Sequence, residues 1–394
     1  MSRRLISHSP DLQRLQNEGY DLELRGAHLL IKQVPYINPD GQIRYGTLVT
    51  ALTLAGDRTT TPADHIVRFA GEAPCDRDGQ ALDKVINNSS DENLGGGLVV
   101  NHLLSNKPAV GYPDYHAKMT SYVRMISGPA LARDATVTAM PFPVIENRDD
   151  ESPFVYLDTA SSRAGITAVS EKFLGNRVAI VGLGGTGSYV LDLVAKTPVA
   201  EIHLFDGDVF GQHNAFRAPG AATIEELKAQ PFKVDYLARC YSALHRHVIP
   251  HQHTIGADTA DEMRTMNFVF LTIDDSEAKR DIVAALERHA VDFIDTGMGL
   301  HLDDGAIAGI LRVTKSTRHH RDHVHASNRI PFAAPQIDDQ YGRNIQVADL
   351  NVLNAALAVV AWKKHLGFYR DLEREHFTTY TIDGNHLMNE DQTP

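Results

Sequence analysis

The stretch from Val178 to Val181 is wholly apolar and passes straight into Gly182-Leu183-Gly184-Gly185-Thr186-Gly187-Ser188. Glycines at that spacing let a backbone turn sharply after a strand and approach a phosphate with no Cβ in the way. A helix starting behind them offers unpaired N–H groups and the positive end of its dipole. The G-x-G-x-x-G pattern alone is weak, but an apolar strand before it and helical spacing after it make it a candidate nucleotide loop. The bland alternative is a tight strand-to-helix turn with no ligand. The next apolar run ends in Asp206, about 20 residues on, where a carboxylate can hold ribose hydroxyls of either NAD or ATP.

The residues after Asp206 separate the two nucleotides. Hydride transfer needs few fixed charges around a pyrophosphate, whereas cleaving a triphosphate needs cations and a metal ion. Arg217 and Lys233 are cations suited to phosphate oxygens. Asp275, after the apolar run 267–273, is placed to hold Mg2+ directly or through water, with the adjacent Asp274 as its competitor. Each also has an ordinary reading. Arg217 lies near Pro219-Gly220 as a loop arginine would, Lys233 fits a solvated helix face, and Asp274 or Asp275 fits the N-cap of the helix behind it.

The elements that must position these groups follow from periodicity. Short apolar runs at 177–183, 201–205, 267–273 and 292–295 alternate with helical spacing at 187–196, 233–247 and 276–289. That order predicts an α/β domain with a Rossmann-like, doubly wound, mostly parallel sheet over residues 151–394. A last helix at 348–366 carries Leu350, Leu353, Ala356, Leu357 and Val360 on one predicted apolar face. Residues 1–150 read differently. Apolar runs at 28–34, 43–52, 65–71 and 98–104 are broken by Gly, Pro, Asn and Asp, which predicts a smaller β-rich or α+β domain. A helix is expected over 115–125. Pro129, Pro141, Pro143 and 146–153 read as a linker, with Asn147-Arg148-Asp149-Asp150-Glu151 as a solvated charge run.

At these residues the sequence resembles a known family. The loop at 182–188 is similar to the G-x-G-G-x-G-S loop of the ThiF/MoeB and ubiquitin-activating (E1-like) adenylyltransferases. Asp206-x-Asp208, with Asn214-x-x-Arg217 after it, resembles that family's D-x-D…N-x-x-R segment. Asp275-Ser276 with Arg280 resembles its metal-binding segment, and 349–356 its late helix. The resemblance covers about residue 161 to the C-terminus and is specific as a set. It implies a ThiF-type adenylation domain in which Asp206 binds ribose, Asn214, Arg217 and Lys233 contact the triphosphate of ATP, and Asp275 serves Mg2+. An arginine before the first strand reaches phosphate in the family, often across a dimer, and Arg163 stands in that place. The implied reaction is adenylation of the C-terminal carboxylate of a ubiquitin-like protein, by a homodimer, with a carrier protein as a further partner. The first domain resembles accessory N-terminal domains fused to bacterial members, a setting for recruiting a partner. Two competitors keep testable consequences: an NAD-dependent oxidoreductase, and a non-catalytic binding module on an adenylation fold.

The chain departs from the family in its thiols. It has two cysteines, Cys75 and Cys240, and none after Cys240, so a thioester at the family's usual place, beyond Gly297, is excluded. Cys240 reads as a core residue of the 233–247 helix, and Cys75 as a loop residue of the first domain with a structural or incidental role, a reactive thiol being its alternative. The segment His319-His320-Arg321-Asp322-His323-x-His325 has zinc-like spacing but few apolar residues, and a mobile basic loop contacting the substrate tail is expected. The formal net charge of -12 argues against nucleic acid as a partner. No apolar run is long enough for a membrane span, and Met1–Pro10 lacks the apolar region of a signal peptide. Two unpaired cysteines suit a reducing cytosol, so a cytoplasmic location is expected.

Overall fold

The apolar runs flanking the glycine loop become neighbouring parallel strands. A computed structural model describes residues 2–147, 152–332 and 345–393. Contacts divide the chain into two compact units, Met1–Ile145 and Glu146–Pro394.

In the first unit, α1 (Ser2–His8) and α2 (Pro10–Glu18) precede β1 (Asp21–Arg25), β2 (His28–Ile37) and β3 (Ile43–Ala51). A small hairpin of β4 (Leu54–Ala55) and β5 (Arg58–Thr59) leads to β6 (Ile66–Ala70), β7 (Ile86–Asn93), β8 (Val99–Ser105) and α3 (Tyr115–Arg133). Six of these strands form one antiparallel sheet, ordered β1-β2-β3-β6-β8-β7. Its inward face, including Leu29, Ile31, Val67 and Phe69, packs with α3 residues Tyr115, Met119, Tyr122 and Ile126. Pro129 lies inside α3 rather than in a linker. Its ring removes one backbone bond, but burial of the turns before it and of Ala130 after it holds the helix to Arg133. Of the charge run, residues 148–151 lie outside the described residues.

The second unit begins with α4 (Thr159–Arg163) and α5 (Thr167–Ser170). It continues through β9 (Arg177–Val181), α6 (Gly185–Val194), β10 (Glu201–Phe205), α7 (Gln212–Ala215), α8 (Ile224–Ala229), α9 (Lys233–Tyr241) and β11 (Val248–His251). After these come β12 (Phe268–Leu271), α10 (Ser276–Arg288), β13 (Asp292–Asp303), β14 (Ala306–Ser316), α11 (Asp322–Ala326), α12 (Ala348–His365), β15 (Phe377–Thr381) and β16 (His386–Glu390). The sheet runs β11-β10-β9-β12-β13-β14-β15-β16. Its first five strands are parallel and the rest antiparallel. Strand order reverses between β9 and β12, which puts the glycine loop at the switch point where such sheets take ligands. β9 is buried on both faces. Val178 and Ile180 enter one core with α6, α9 and α12, while Ala179 and Val181 enter the other with α10.

Three expectations needed correction. The 233–247 helix stops at Tyr241, because the chain turns there to bury His245, whose Nε2 bonds Val199 O at 3.0 Å. The 292–295 strand runs on to Asp303, since its second half pairs with β14 along their whole length. The buried face of α12 is Asn351, Asn354, Ala355, Ala358, Val359 and Trp362, not the leucine face. Small side chains and amides let α12 lie close against α6, and Leu350, Leu353 and Leu357 are left half-exposed.

Burial pushes His245 from 6.5 down to about 4, and does the same to His323, to about 4, and to His376, to about 3. Between 6.5 and those values the unfolded chain binds protons that the folded chain refuses, so stability is full above 6.5 and falls as pH drops. Each ring contributes up to about 1.4 kcal/mol per pH unit. Urea denaturation at pH 7 and pH 5 should show the loss, and His245→Gln should flatten the slope by about one proton's worth.

Candidate functional site

The glycine loop is built by close approach. Gly182 has φ +89°, and a Cβ there would stand 2.6 Å from Ile273 Cγ2 and 3.0 Å from Thr272 O. A Cβ on Gly187 would collide with Gly182 O and lie 2.5 Å from Thr272 Oγ1. One on Gly185 would collide with the Asn351 amide. These three glycines are therefore required by packing. Gly184 is not: its φ is -70° and a Cβ would meet nothing within 4 Å. The space beside Gly184 lies at the N-cap of α6, whose first-turn N–H groups have no intrahelical partners.

Asp206 holds the loop from the tip of β10. It is buried, 7% exposed, and its Oδ2 accepts the Leu183 N–H at 2.7 Å while Oδ1 accepts the Asp208 N–H at 2.9 Å. Lys233, at the start of α9, is likewise buried. Its Nζ lies 3.4 Å from the Asp206 carboxylate and 2.6 Å from Asp208 Oδ2. The Asp208 side chain is otherwise open to solvent, at 73% exposure. Thus Asp206, Asp208 and Lys233 meet beside the loop, with two carboxylates sharing one ammonium.

Asn214 is buried, and its Oδ1 accepts the Gly211 N–H at 2.9 Å, tying off the turn that enters α7. Arg217 is half-buried, and its Nε is buried with no hydrogen-bond partner among the described residues. Such an orphaned cationic donor is costly and suits an anion. Arg163 is exposed at the end of α4 and is not among the groups bonded to Asp206, Asp208 or Lys233. Asp274 and Asp275 are both exposed. Asp275 is the N-cap of α10: its Oδ1 accepts the N–H groups of Glu277 at 3.0 Å and Ala278 at 3.1 Å. The capping reading is thus realised, and Oδ2 takes no part in it.

Sequence reasoning missed a buried ion cluster one strand away. Asp295, fully buried in β13, has Arg312 Nη2 at 2.6 Å and Lys279 Nζ at 2.7 Å. The lysine contact is an ion pair not aligned as a hydrogen bond. Lys279 also reaches towards Thr296 O at 3.5 Å. The signal was an acid in an apolar strand, which demands a partner, but strand pairing rather than spacing supplies Arg312.

Cys240 is not the core residue expected, and Cys75 takes a structural role. Cys75 is buried, 1% exposed, its Sγ donating to Ala73 O at 3.3 Å. Burial, with Asp76 and Asp83 nearby, pushes its thiol up, so it is an inert packing residue. Cys240 is exposed on α9, and desolvation of the sulfur raises its pKa against the pull of Tyr236 and Arg239. The 319–325 segment is not a mobile loop but a turn and the short helix α11. His323 is buried with Nε2 on Lys315 O at 3.1 Å, and His320 stacks on it. Among the described residues no group of three or more His, Cys, Asp or Glu side chains is arranged to hold a metal ion. No helix among them is long and apolar enough to cross a membrane.

Residues 161–320 match the ThiF family, and residues 10–159 match a domain of unknown function, DUF6791. The second unit therefore carries a ThiF family domain, behind a separate N-terminal domain. The ubiquitin-like modifier-activating enzyme 5 of Drosophila mojavensis is 24% identical over 176 residues, covering 40% of this chain and 42% of the relative. That of Drosophila willistoni is 23% identical over 176 residues, covering 40% and 41%. The chain spans about two fifths of the length of these curated relatives. Among solved structures, the microcin C7 biosynthetic enzyme MccB in complex with N-formylated MccA is similar at 15% identity and a TM-score of 0.47, over 59% of this chain and 70% of that one. Escherichia coli MccB with ATP is similar at 14% identity and a TM-score of 0.43, over 60% and 70%.

Because Asp275 caps α10, Asp275→Ala should cost about 1 kcal/mol of stability. Asp275→Asn, which keeps an accepting oxygen, should cost little. Urea midpoints of the two variants beside wild type check this.

Proposed function

We propose that this chain activates a C-terminal carboxylate by adenylation with ATP, and that the carboxylate is that of a ubiquitin-like protein. The observation that carries the reading is the glycine loop at the switch point, held by Asp206, with the buried Lys233 beside it and open space at Gly184. The ThiF family domain over residues 161–320 supports it.

The residues fit a nucleotide. Gly184 leaves room for a phosphate against the first turn of α6. The Asp206 carboxylate accepts two bonds on Oδ2, from the Leu183 N–H and Lys233 Nζ, and one on Oδ1, and a carboxylate accepts about four, so a ribose hydroxyl remains within its capacity. Lys233 is poised to move from Asp208 to phosphate oxygens, and Arg217 gains the partner its Nε lacks. Asn214 keeps that segment in register, and Arg163 is the proposed phosphate contact supplied from α4. Mg2+ fits only as an ion carried on the phosphates: Asp275 offers one spare oxygen, with Asp274 beside it. One or two carboxylates, phosphate oxygens and waters are the usual set for this ion, which would neutralise charge on the leaving group.

In the reaction a carboxylate oxygen attacks the α-phosphorus. The new O–P bond forms, the bond from the α-phosphorus to the α,β-bridging oxygen breaks, and pyrophosphate leaves with that oxygen and its electron pair. The chain's groups orient the two reactants and hold developing negative charge. No protein nucleophile takes part. Cys75 is buried and desolvation raises the pKa of both thiols, which supports a thiol on a separate carrier protein as the acceptor of the activated tail, and the N-terminal domain is proposed to recruit a partner. The half-exposed leucines of α12 are proposed as the surface of a homodimer, and the cytoplasm as its setting.

ATP–pyrophosphate exchange with Mg2+ and candidate ubiquitin-like proteins tests the reading. Exchange should need the partner's free C-terminus, fall at least a hundredfold in Arg217→Ala, and fall as far in Asp275→Asn even though that variant keeps its cap. ATP binding without exchange for every partner would favour the binding module. NAD binding in place of ATP would defeat the assignment.

A further inference from the structure

Two asparagines sit on the inner face of α12, three residues apart, so they point the same way. Both are buried, Asn351 at 0% and Asn354 at 1% exposure. Asn351 Oδ1 accepts the Thr186 hydroxyl at 3.0 Å, inside the first turn of α6. Its Nδ2 lies against Gly185, where no side chain fits. Asn354 Nδ2 donates to Gly297 O at 3.1 Å, just past the parallel part of β13. Each amide therefore spends one atom on the carboxyl edge of the sheet. The other atom of each, Asn351 Nδ2 and Asn354 Oδ1, is buried with no partner among the described residues.

That arrangement is costly. An unpaired buried donor or acceptor gives up its bonds to water for nothing in return, and an apolar pair of similar volume would pack α12 on α6 without that penalty. Stability alone therefore does not account for these two amides. What they uniquely provide is a fixed spacing between the glycine loop and the end of β13, both referred to one rigid helix. Those are the two sides between which a nucleotide phosphate and an extended carboxylate tail would meet.

We infer that Asn351 and Asn354 are positioning residues, Asn351 for the nucleotide through Thr186 and Gly185, and Asn354 for the carboxylate substrate through Gly297. The inference rests on the adenylation reading. It assigns the two reactants to two side chains of one helix, so their effects separate.

The test uses the full chain, with Mg2+-ATP affinity from calorimetry, exchange kinetics against the carboxylate partner, and melting temperature for each variant. Asn351→Ala should weaken ATP binding about tenfold. Thr186→Val breaks the same bond from the half-buried side and serves where Asn351→Ala does not fold. The double variant should be no worse than the poorer single one. Asn354→Ala should leave ATP affinity within about twofold and raise the KM for the carboxylate partner about tenfold. A merely structural pair would lower the melting temperature without dividing the two substrates. ATP affinity unchanged in both Asn351→Ala and Thr186→Val, or equal losses of ATP affinity in Asn351→Ala and Asn354→Ala, overturns the inference and leaves adenylation standing. A wild-type chain that does not bind ATP overturns both.

Discussion

One carboxylate fixes the geometry on which the rest of the edge depends. Asp206 accepts the Leu183 N–H with one oxygen and the Asp208 N–H with the other. The first bond sets the path of the glycine loop leaving β9, and the second sets the path of the chain leaving β10. Both paths start at the carboxyl ends of adjacent parallel strands, so neither can move without the other. Lys233 closes the arrangement from α9 and is also tied through its backbone N–H to Asp208 O at 2.9 Å. A buried acid with two backbone donors and a nearby cation is fully provided for, which makes such a costly residue tolerable in the core.

Four of the five parallel strands, β9, β10, β12 and the start of β13, were legible because they are buried on both faces and read as continuous apolar runs, whereas β11 is only half-buried and gave no such run. The glycine loop was legible for a related reason: Gly182 and Gly187 are demanded by the close approach of Thr272 and Ile273, and that demand appears in the sequence as glycine. The antiparallel half was not legible. β15 (Phe-Thr-Thr-Tyr-Thr) and β16 (His-Leu-Met-Asn-Glu) are short, mixed in polarity and at most half-buried, and the first half of β14 is largely exposed, a pattern that loops share. The inner face of α12 was misread because helix-face reasoning looks for leucine, whereas close packing of α12 on α6 selects Ala355, Ala358 and the two asparagines. A buried amide gives no periodic signal. Cys240 was misplaced for the same reason: its burial depends on which face of α9 meets the sheet, and a single cysteine on a helix gives no periodic signal of that.

Asp275 shows how one residue answers two demands. As a cap it must point one oxygen at the backbone of α10, which orients the carboxylate and leaves the second oxygen on the solvent side. A capping carboxylate is also stabilised by the positive end of the helix. The order strand, acid, helix therefore serves either role, and the sequence alone does not separate them.

The charges under the edge carry the same logic one strand further. Lys279 and Arg312 flank the single carboxylate of Asp295, so two positive groups face one negative and the cluster holds a net charge of about +1. At the loop the balance is reversed, with Asp206 and Asp208 against Lys233 alone. The formal charges beside the ends of β10 and β13 are therefore opposite in sign, and α12, bonded to the glycine loop through Asn351 and to β13 through Asn354, ties the two places to one helix.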